Sequence, residues 1–125
     1  MEPINSPEAP AAIGPYCHAV RTGNLLFCSG QIPIDPAEGK IVEQGVDGQA
    51  KQVFANIKAV LATAGASLDN IVKATVFLVD MADFPVVNEI YAENMGDHKP
   101  ARSTIQVAAL PLGSLVEIEV IVELS

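Results

Sequence analysis

Residues 46–79, VDGQAKQVFANIKAVLATAGASLDNIVKATVFLV, change hydrophobic period once, and that change sets the fold class. Up to Ala64, apolar residues recur at steps of three and four (Val46, Ala50, Val53, Ile57, Val60, Leu61, Ala64). At about 3.6 residues per turn this spacing forms one helical stripe. Gly65 stands where a helix commonly ends on a left-handed residue. Residues 71–79 are rich in Val, Ile, Thr and Phe, side chains that suit a pleated surface. Val72, Ala74, Val76 and Leu78 alternate onto one face, and Lys73, Thr75 and Phe77 onto the other. A helix followed by an inner strand predicts a mixed α+β domain.

Towards the C-terminus, Asp80 or Asp83 can cap a second helix, with Pro85 in the first turn where no amide donor is needed. Phe84, Val87, Tyr91 and Met95 lie along one side of it. Two strands follow, over residues 102–107 and 115–124, separated by Leu110-Pro111-Leu112-Gly113. The last strand places Val116, Ile118, Val120, Val122 and Leu124 on one face, and Leu115, Glu117, Glu119, Ile121 and Glu123 on the other. Towards the N-terminus, Gly23-Asn24 can take the positive φ of a tight turn, which predicts a β-hairpin from residues 17–22 and 25–29. Residues 31–45, with Pro33, Asp35-Pro36 and Gly39, read as a loop with a short extended piece around Ile41-Val42. Pro3, Pro7, Pro10 and Pro15 predict an extended or irregular arm over residues 1–15.

The predicted order is hairpin, helix, strand, helix, strand, strand, with no internal repeat, and residues 1–125 read as a single domain. Right-handed strand–helix–strand crossovers let both helices pack on one side of a mixed sheet. The other side then carries Thr75, Phe77, Ile105 and Ile121 among polar groups. Such a face is too apolar for water and too polar for an ordinary core, so it is expected to be covered by copies of the chain, with clefts between subunits. Periodicity does not distinguish a dimer from a trimer.

Composition narrows the function classes. Half of the 125 residues are apolar and 18% are charged, which excludes a disordered chain because enough surface can be buried to offset ordering entropy. A formal net charge of −8, with the 7 Lys and Arg scattered, argues against a nucleic-acid groove. No apolar run approaches the roughly 20 residues of a membrane span. The opening MEPINSPEAP lacks the basic-then-apolar order of a secretory signal, so cytoplasmic residence is expected.

Cys17 and Cys28 form no C-x-x-C pair and read as small buried hydrophobes. If residues 17–22 are a strand, Cys17 and His18 point to opposite faces and form no thiol–imidazole dyad. His98, in NMGDHKP, reads as a solvated loop histidine, and no metal site is expected. Neither a nucleophile elbow nor a Gly-rich phosphate cradle is present, so covalent catalysis is not expected and a nucleotide cofactor has no evident seat.

The polar residues that stand out are Tyr16, Ser29, Gln31, Asn88, Arg102, Thr104, Glu117 and Glu119. Arg102 opens a strand within Pro100-Ala101-Arg102-Ser103-Thr104. A guanidinium fixed at a strand edge can grip the carboxylate of a small acidic metabolite through two parallel hydrogen bonds. The same spacing equally allows a surface arginine paired to one of the many acids. Glu117 is open to the same division, as a solvated strand acid or as a carboxylate that orients water.

Several segments occur together and in order over nearly the whole chain: Ile13-Gly14-Pro15-Tyr16, Ser29-Gly30-Gln31-Ile32-Pro33, residues 56–61 (NIKAVL), residues 72–78 (VKATVFL), Asp83-Phe84, Val87-Asn88, Pro100-Ala101-Arg102-Ser103-Thr104 and Val116-Glu117-Ile118-Glu119. In this the chain resembles the RidA (YjgF) family of small imine deaminases. The resemblance implies a chorismate-mutase-like α+β fold, two helices on one face of a mixed sheet, and homotrimers with clefts at the subunit boundaries. It implies hydrolysis of 2-imino acids, such as 2-iminobutanoate and 2-iminopropanoate, to 2-oxo acids and ammonia, without metal or organic cofactor. Arg102 then corresponds to the carboxylate-binding arginine, and Glu117 to the glutamate that handles water, with Tyr16 beside it. Ser29, Asn88 and Thr104 fall on the remaining substrate-contacting positions. Many members carry cysteine where this chain has Thr104, which here removes any thiol chemistry. Family members have also been described as ribonucleases that inhibit translation and as stress-linked chaperones. A non-catalytic sensor using the same arginine is a further alternative.

Overall fold

The computed structural model describes residues 1–125. The 46–64 stripe forms helix α1, Gly45–Thr63, which buries Ala50, Val53, Phe54, Ile57, Val60 and Leu61. Its end follows from Gly65, at φ 76°: this left-handed turn lets the Ala66 amide donate to the Leu61 carbonyl at 2.8 Å and the Gly65 amide to Ala62 at 3.0 Å. Helix α2, Phe84–Met95, starts after a short turn, residues 81–83, whose Ala82 amide donates to Asp80 Oδ1 at 2.9 Å, with Pro85 in the helix's opening turn. Asp83 makes no side-chain cap.

Eight strands complete the fold: β1 Glu2–Ile4, β2 Ala19–Thr22, β3 Leu25–Cys28, β4 Ile34–Asp35, β5 Lys40–Ile41, β6 Ile71–Leu78, β7 Ala101–Gln106 and β8 Val116–Glu123. Six build one sheet in the order β1-β2-β3-β8-β6-β7, and β4 and β5 form a separate small hairpin. Only β6 and β7, joined through α2, are parallel; the other pairs are antiparallel. Both helices pack on the face that carries Ala74, Val76, Leu78, Val116, Ile118, Val120 and Val122, and these residues join them in one core. The opposite face carries Phe27, Thr75, Phe77, Ile105 and Ile121, with Phe27 and Ile105 each 44% exposed. No helix is long and apolar enough to cross a membrane.

The expected loop over residues 31–45 closes on itself as the β4–β5 hairpin, and the structure departs from the sequence expectations in three further places. Part of the N-terminal arm is a strand, because β1 adds to the outer edge of β2, where Pro3 lacks a donor without breaking a ladder on both sides. Val72 does not share the buried face: the pairing with β8 shifts between Ile71 and Lys73, so Val72 is the extra residue of a bulge and stands 47% exposed while Ile71 goes inside. His98 is not a solvated loop residue, since its Nε2 lies 2.7 Å from the Ile71 carbonyl and ties the loop before β7 to the start of β6.

His18 is buried as well. Its Nδ1 accepts from the Ser6 amide at 2.9 Å, and its Nε2 lies 2.6 Å from the Pro10 carbonyl. The neutral tautomer with its proton on Nε2 satisfies both contacts. One imidazole therefore pins the arm that leads to Tyr16.

Candidate active site

The expected site residues fall into two groups, set by strand register. In the parallel pair, Ala74 faces Arg102 and Val76 faces Thr104. Ala74 and Val76 point at the helices, so Arg102 and Thr104 do too, at the outer edge of the sheet. There Arg102 Nη1 donates to Asn88 Oδ1 of α2 at 2.8 Å. The guanidinium carbon lies 4.7 Å from the Tyr91 ring centroid and 5.4 Å from that of Phe84. Asn88, Tyr91, Met95, His98, Lys99 and Arg102 line a crevice of about 410 Å³ that contains no carboxylate. The hydrogen bond to Asn88 is the only one Arg102's side chain makes, so most of its fork remains free. Only two buried side-chain polar atoms lack a partner, Tyr91 Oη and Thr104 Oγ1, and both belong to this neighbourhood.

The second group lies on the opposite face. Glu117 pairs with Phe77, whose side chain points away from the helices. Beside it, β3 and β8 separate after Cys28 and rejoin at Gln31, whose amide donates to the Ile118 carbonyl at 2.9 Å. The intervening Gly30 lies against the Glu117 carboxylate so closely that any β-carbon there would collide with it. Ile13, Tyr16, Ser29, Pro111 and Glu117 line the hollow around it. Ser29 Oγ donates to the Cys17 carbonyl at 2.7 Å, which commits its proton and leaves its lone pairs. The Tyr16 ring is 47% exposed, and its hydroxyl accepts from the Ile13 amide at 3.4 Å. Burial, reinforced by repulsion from Glu119, pushes the Glu117 carboxyl above its ordinary value.

The structure thus joins Arg102, Asn88 and Thr104, and separately Tyr16, Ser29 and Glu117, but does not bring the two groups together within one chain. Three contributors were not singled out from sequence. Gly30 was visible as part of Ser29-Gly30-Gln31, without any sign that a carboxylate packs on it. Phe84 and Tyr91 read as core positions of α2; their spacing around Asn88 was the available signal. Cys28, packed against the core, has its thiol pushed up to about 12 by burial, which leaves it without nucleophilic character at neutral pH. No group of three or more His, Cys, Asp or Glu residues is placed to hold a metal ion.

A mixed sheet with two helices on one face, and one polar cluster on each of its faces, defines a small α+β domain. The family model described as Endoribonuclease L-PSP matches residues 6–124. A RutC family protein of Pyrococcus horikoshii is 51% identical over 120 residues, covering 96% of this chain and 95% of that one. The 2-iminobutanoate/2-iminopropanoate deaminase of mouse is 49% identical over 118 residues, covering 94% and 87%. The crystal structure of RidA from the Antarctic bacterium Psychrobacter sp. PAMC 21119 superposes with a TM-score of 0.96 at 46% identity, covering 99% of this chain and all of the other. The chain belongs to the RidA family, whose model carries the Endoribonuclease L-PSP description.

Proposed function

We propose that this chain is an imine hydrolase that converts small 2-imino acids, 2-iminobutanoate and 2-iminopropanoate among them, to 2-oxo acids and ammonia. The observation that carries the reading is the pair of complementary half-sites: a guanidinium with free donors in a crevice without acid, and a carboxylate of raised pKa in a hollow without cation. Each lacks what the other has. A second copy of the chain completes the site, in keeping with the homotrimer implied by the family resemblance and with the apolar open face of the sheet.

Arg102 binds and orients the substrate carboxylate, steadied by Asn88. Glu117 holds a water molecule beside the C=N carbon and takes its proton as the oxygen adds. The proton then passes to nitrogen; as the hydroxyl of this carbinolamine gives its own proton to the Glu117 carboxylate, the C=O forms, the C–N bond breaks, and ammonia and the 2-oxo acid are released. Tyr16 borders the water-side hollow, and Ser29 offers lone pairs to the protonated imine nitrogen. Thr104 stands two residues along β7 from Arg102 on the same face, with its buried hydroxyl unpartnered, and is assigned a substrate-contacting place by the family resemblance alone. General-base assistance of about 10²-fold or more is adequate for an electrophile that already hydrolyses slowly in water. The mouse relative's name supports this substrate class. The net charge of −8 runs against an RNA substrate, whose binding would also weaken steeply with salt.

The test couples a threonine dehydratase to chemical trapping of its imine product. The parent protein is expected to divert the imine before the trap, and Arg102→Ala to lose about 10²-fold in kcat/KM, because two charge-assisted hydrogen bonds disappear. Equal clearance by parent and variant would end the carboxylate-clamp reading.

A further inference from the structure

We infer that Phe84 and Tyr91, with Asn88 between them, form an aromatic cradle on α2 that fixes the Arg102 guanidinium so that its free donors meet a carboxylate. The inference rests on the imine-hydrolase reading and adds positioning residues to it. Phe84, Asn88 and Tyr91 stand at i, i+4 and i+7, so they follow one another along one face of the helix. Both ring centroids lie within cation–π range of Arg102 Cζ, at 4.7 Å for Tyr91 and 5.4 Å for Phe84. Asn88 takes one in-plane donor at 2.8 Å. Rings engage a guanidinium through its face, which leaves the in-plane N–H groups for a ligand.

The cradle is itself held by the core. Tyr91 is buried and its ring meets Phe54 edge-on, with centroids 5.8 Å apart at 73°. Through Tyr91, then, the guanidinium of an otherwise exposed arginine is referred back to the contact between α1 and α2. The Tyr91 hydroxyl has no partner, so what the residue gives Arg102 is its ring. A purely structural role for Phe84 and Tyr91 would make their loss a matter of stability alone. A positioning role makes it a matter of carboxylate affinity.

The experiment compares the parent chain with Tyr91→Phe, Tyr91→Leu and Phe84→Leu. It uses imine turnover, calorimetric binding of 2-oxobutanoate as a stable carboxylate probe, and NMR of the Arg102 Nε–H. Tyr91→Leu and Phe84→Leu are expected to raise KM and weaken probe binding about five- to tenfold, with kcat within about twofold. Tyr91→Phe, which keeps the ring, is expected to restore most of the affinity. The two Arg102 Nη groups, followed through the Nε–H, are expected to exchange slowly with each other by rotation about Nε–Cζ in the parent and faster in both leucine variants. Parental KM, probe affinity and exchange rate in folded leucine variants would overturn the inference, as would a Tyr91→Phe loss equal to that of Tyr91→Leu. Should Tyr91→Leu fail to fold, half-buried Phe84 still supplies a decisive variant. Should the parent clear no imine, the functional reading fails by itself, and Arg102 exchange together with probe binding still decides on the cradle.

Discussion

Glu117 gives the proposed chemistry a defined pH dependence. A general base acts only when ionised, and burial together with Glu119 holds this carboxyl above the ordinary 4.5. The acid limb of kcat/KM is therefore expected above that value, and Glu119→Gln, by removing the repulsion, to move it to lower pH. Glu117→Gln is expected to lower kcat about 10²-fold. Its effect on stability has the opposite sign. The folded chain binds this proton more tightly than the unfolded chain, so ionising Glu117 costs stability as pH rises from 4.5 through the raised value. Glu117→Gln is thus expected to raise Tm more at pH 7 than at pH 4. A pH–rate profile and calorimetry at the two pH values check both signs, and an acid limb unmoved in Glu119→Gln would contradict the electrostatic assignment. The identity of Glu117 was legible in Glu117-Ile118-Glu119, but its altered acidity was not. That arises from burial, reinforced by Glu119, and the burial depends on the long-range return of the chain to β8 at Gln31, which lays Gly30 against the carboxylate.

The elements best read from sequence are those whose own period settles them. The α1 stripe and the β8 alternation depend on neighbours three, four or two residues away, and the structure follows both. Where partners at long range decide, local pattern fails: the Val72 bulge is set by β8, and β1 exists because β2 offers an open edge. The N-terminal arm is the clearest case. Its proline content conveys irregularity, yet His18 anchors it at Ser6 and Pro10, Asn5 Oδ1 accepts from the His18 amide at 3.2 Å, and Ser6 Oγ donates to Ala59 of α1 at 3.1 Å. Replacing His18 by Ala leaves a buried amide and a buried carbonyl without partners. The expected cost is about 2 kcal/mol, limited by the arm's freedom to peel away into water. Hydrogen exchange should then show protection lost over residues 2–10 while α1 keeps its own. Because the arm leads to Tyr16, the same variant is expected to weaken turnover; unchanged exchange in the arm would mean that His18 is not its anchor.

The separation of Arg102 from Glu117 belongs to the molecule as a whole. Either residue can be picked from sequence, but their relation depends on which face of the sheet each occupies. That relation is fixed by the pairing of Arg102 with Ala74 and of Glu117 with Phe77, neighbouring strands in opposite senses. One strand, β6, also lies between them. A side chain cannot pass through a hydrogen-bonded sheet, so a reaction that uses both groups at one carbon must draw them from two chains. This yields a test that needs no knowledge of how many copies assemble. Arg102→Ala and Glu117→Gln chains are each expected to be nearly inactive. Unfolded together in equal amounts and refolded, they are expected to form mixed oligomers in which about a quarter of clefts combine an intact arginine half with an intact glutamate half. Activity is therefore expected to return to about a quarter of the parent level when differently tagged subunits co-purify. If each chain carried a complete site of its own, every site in the mixture would keep one defect and no activity would return.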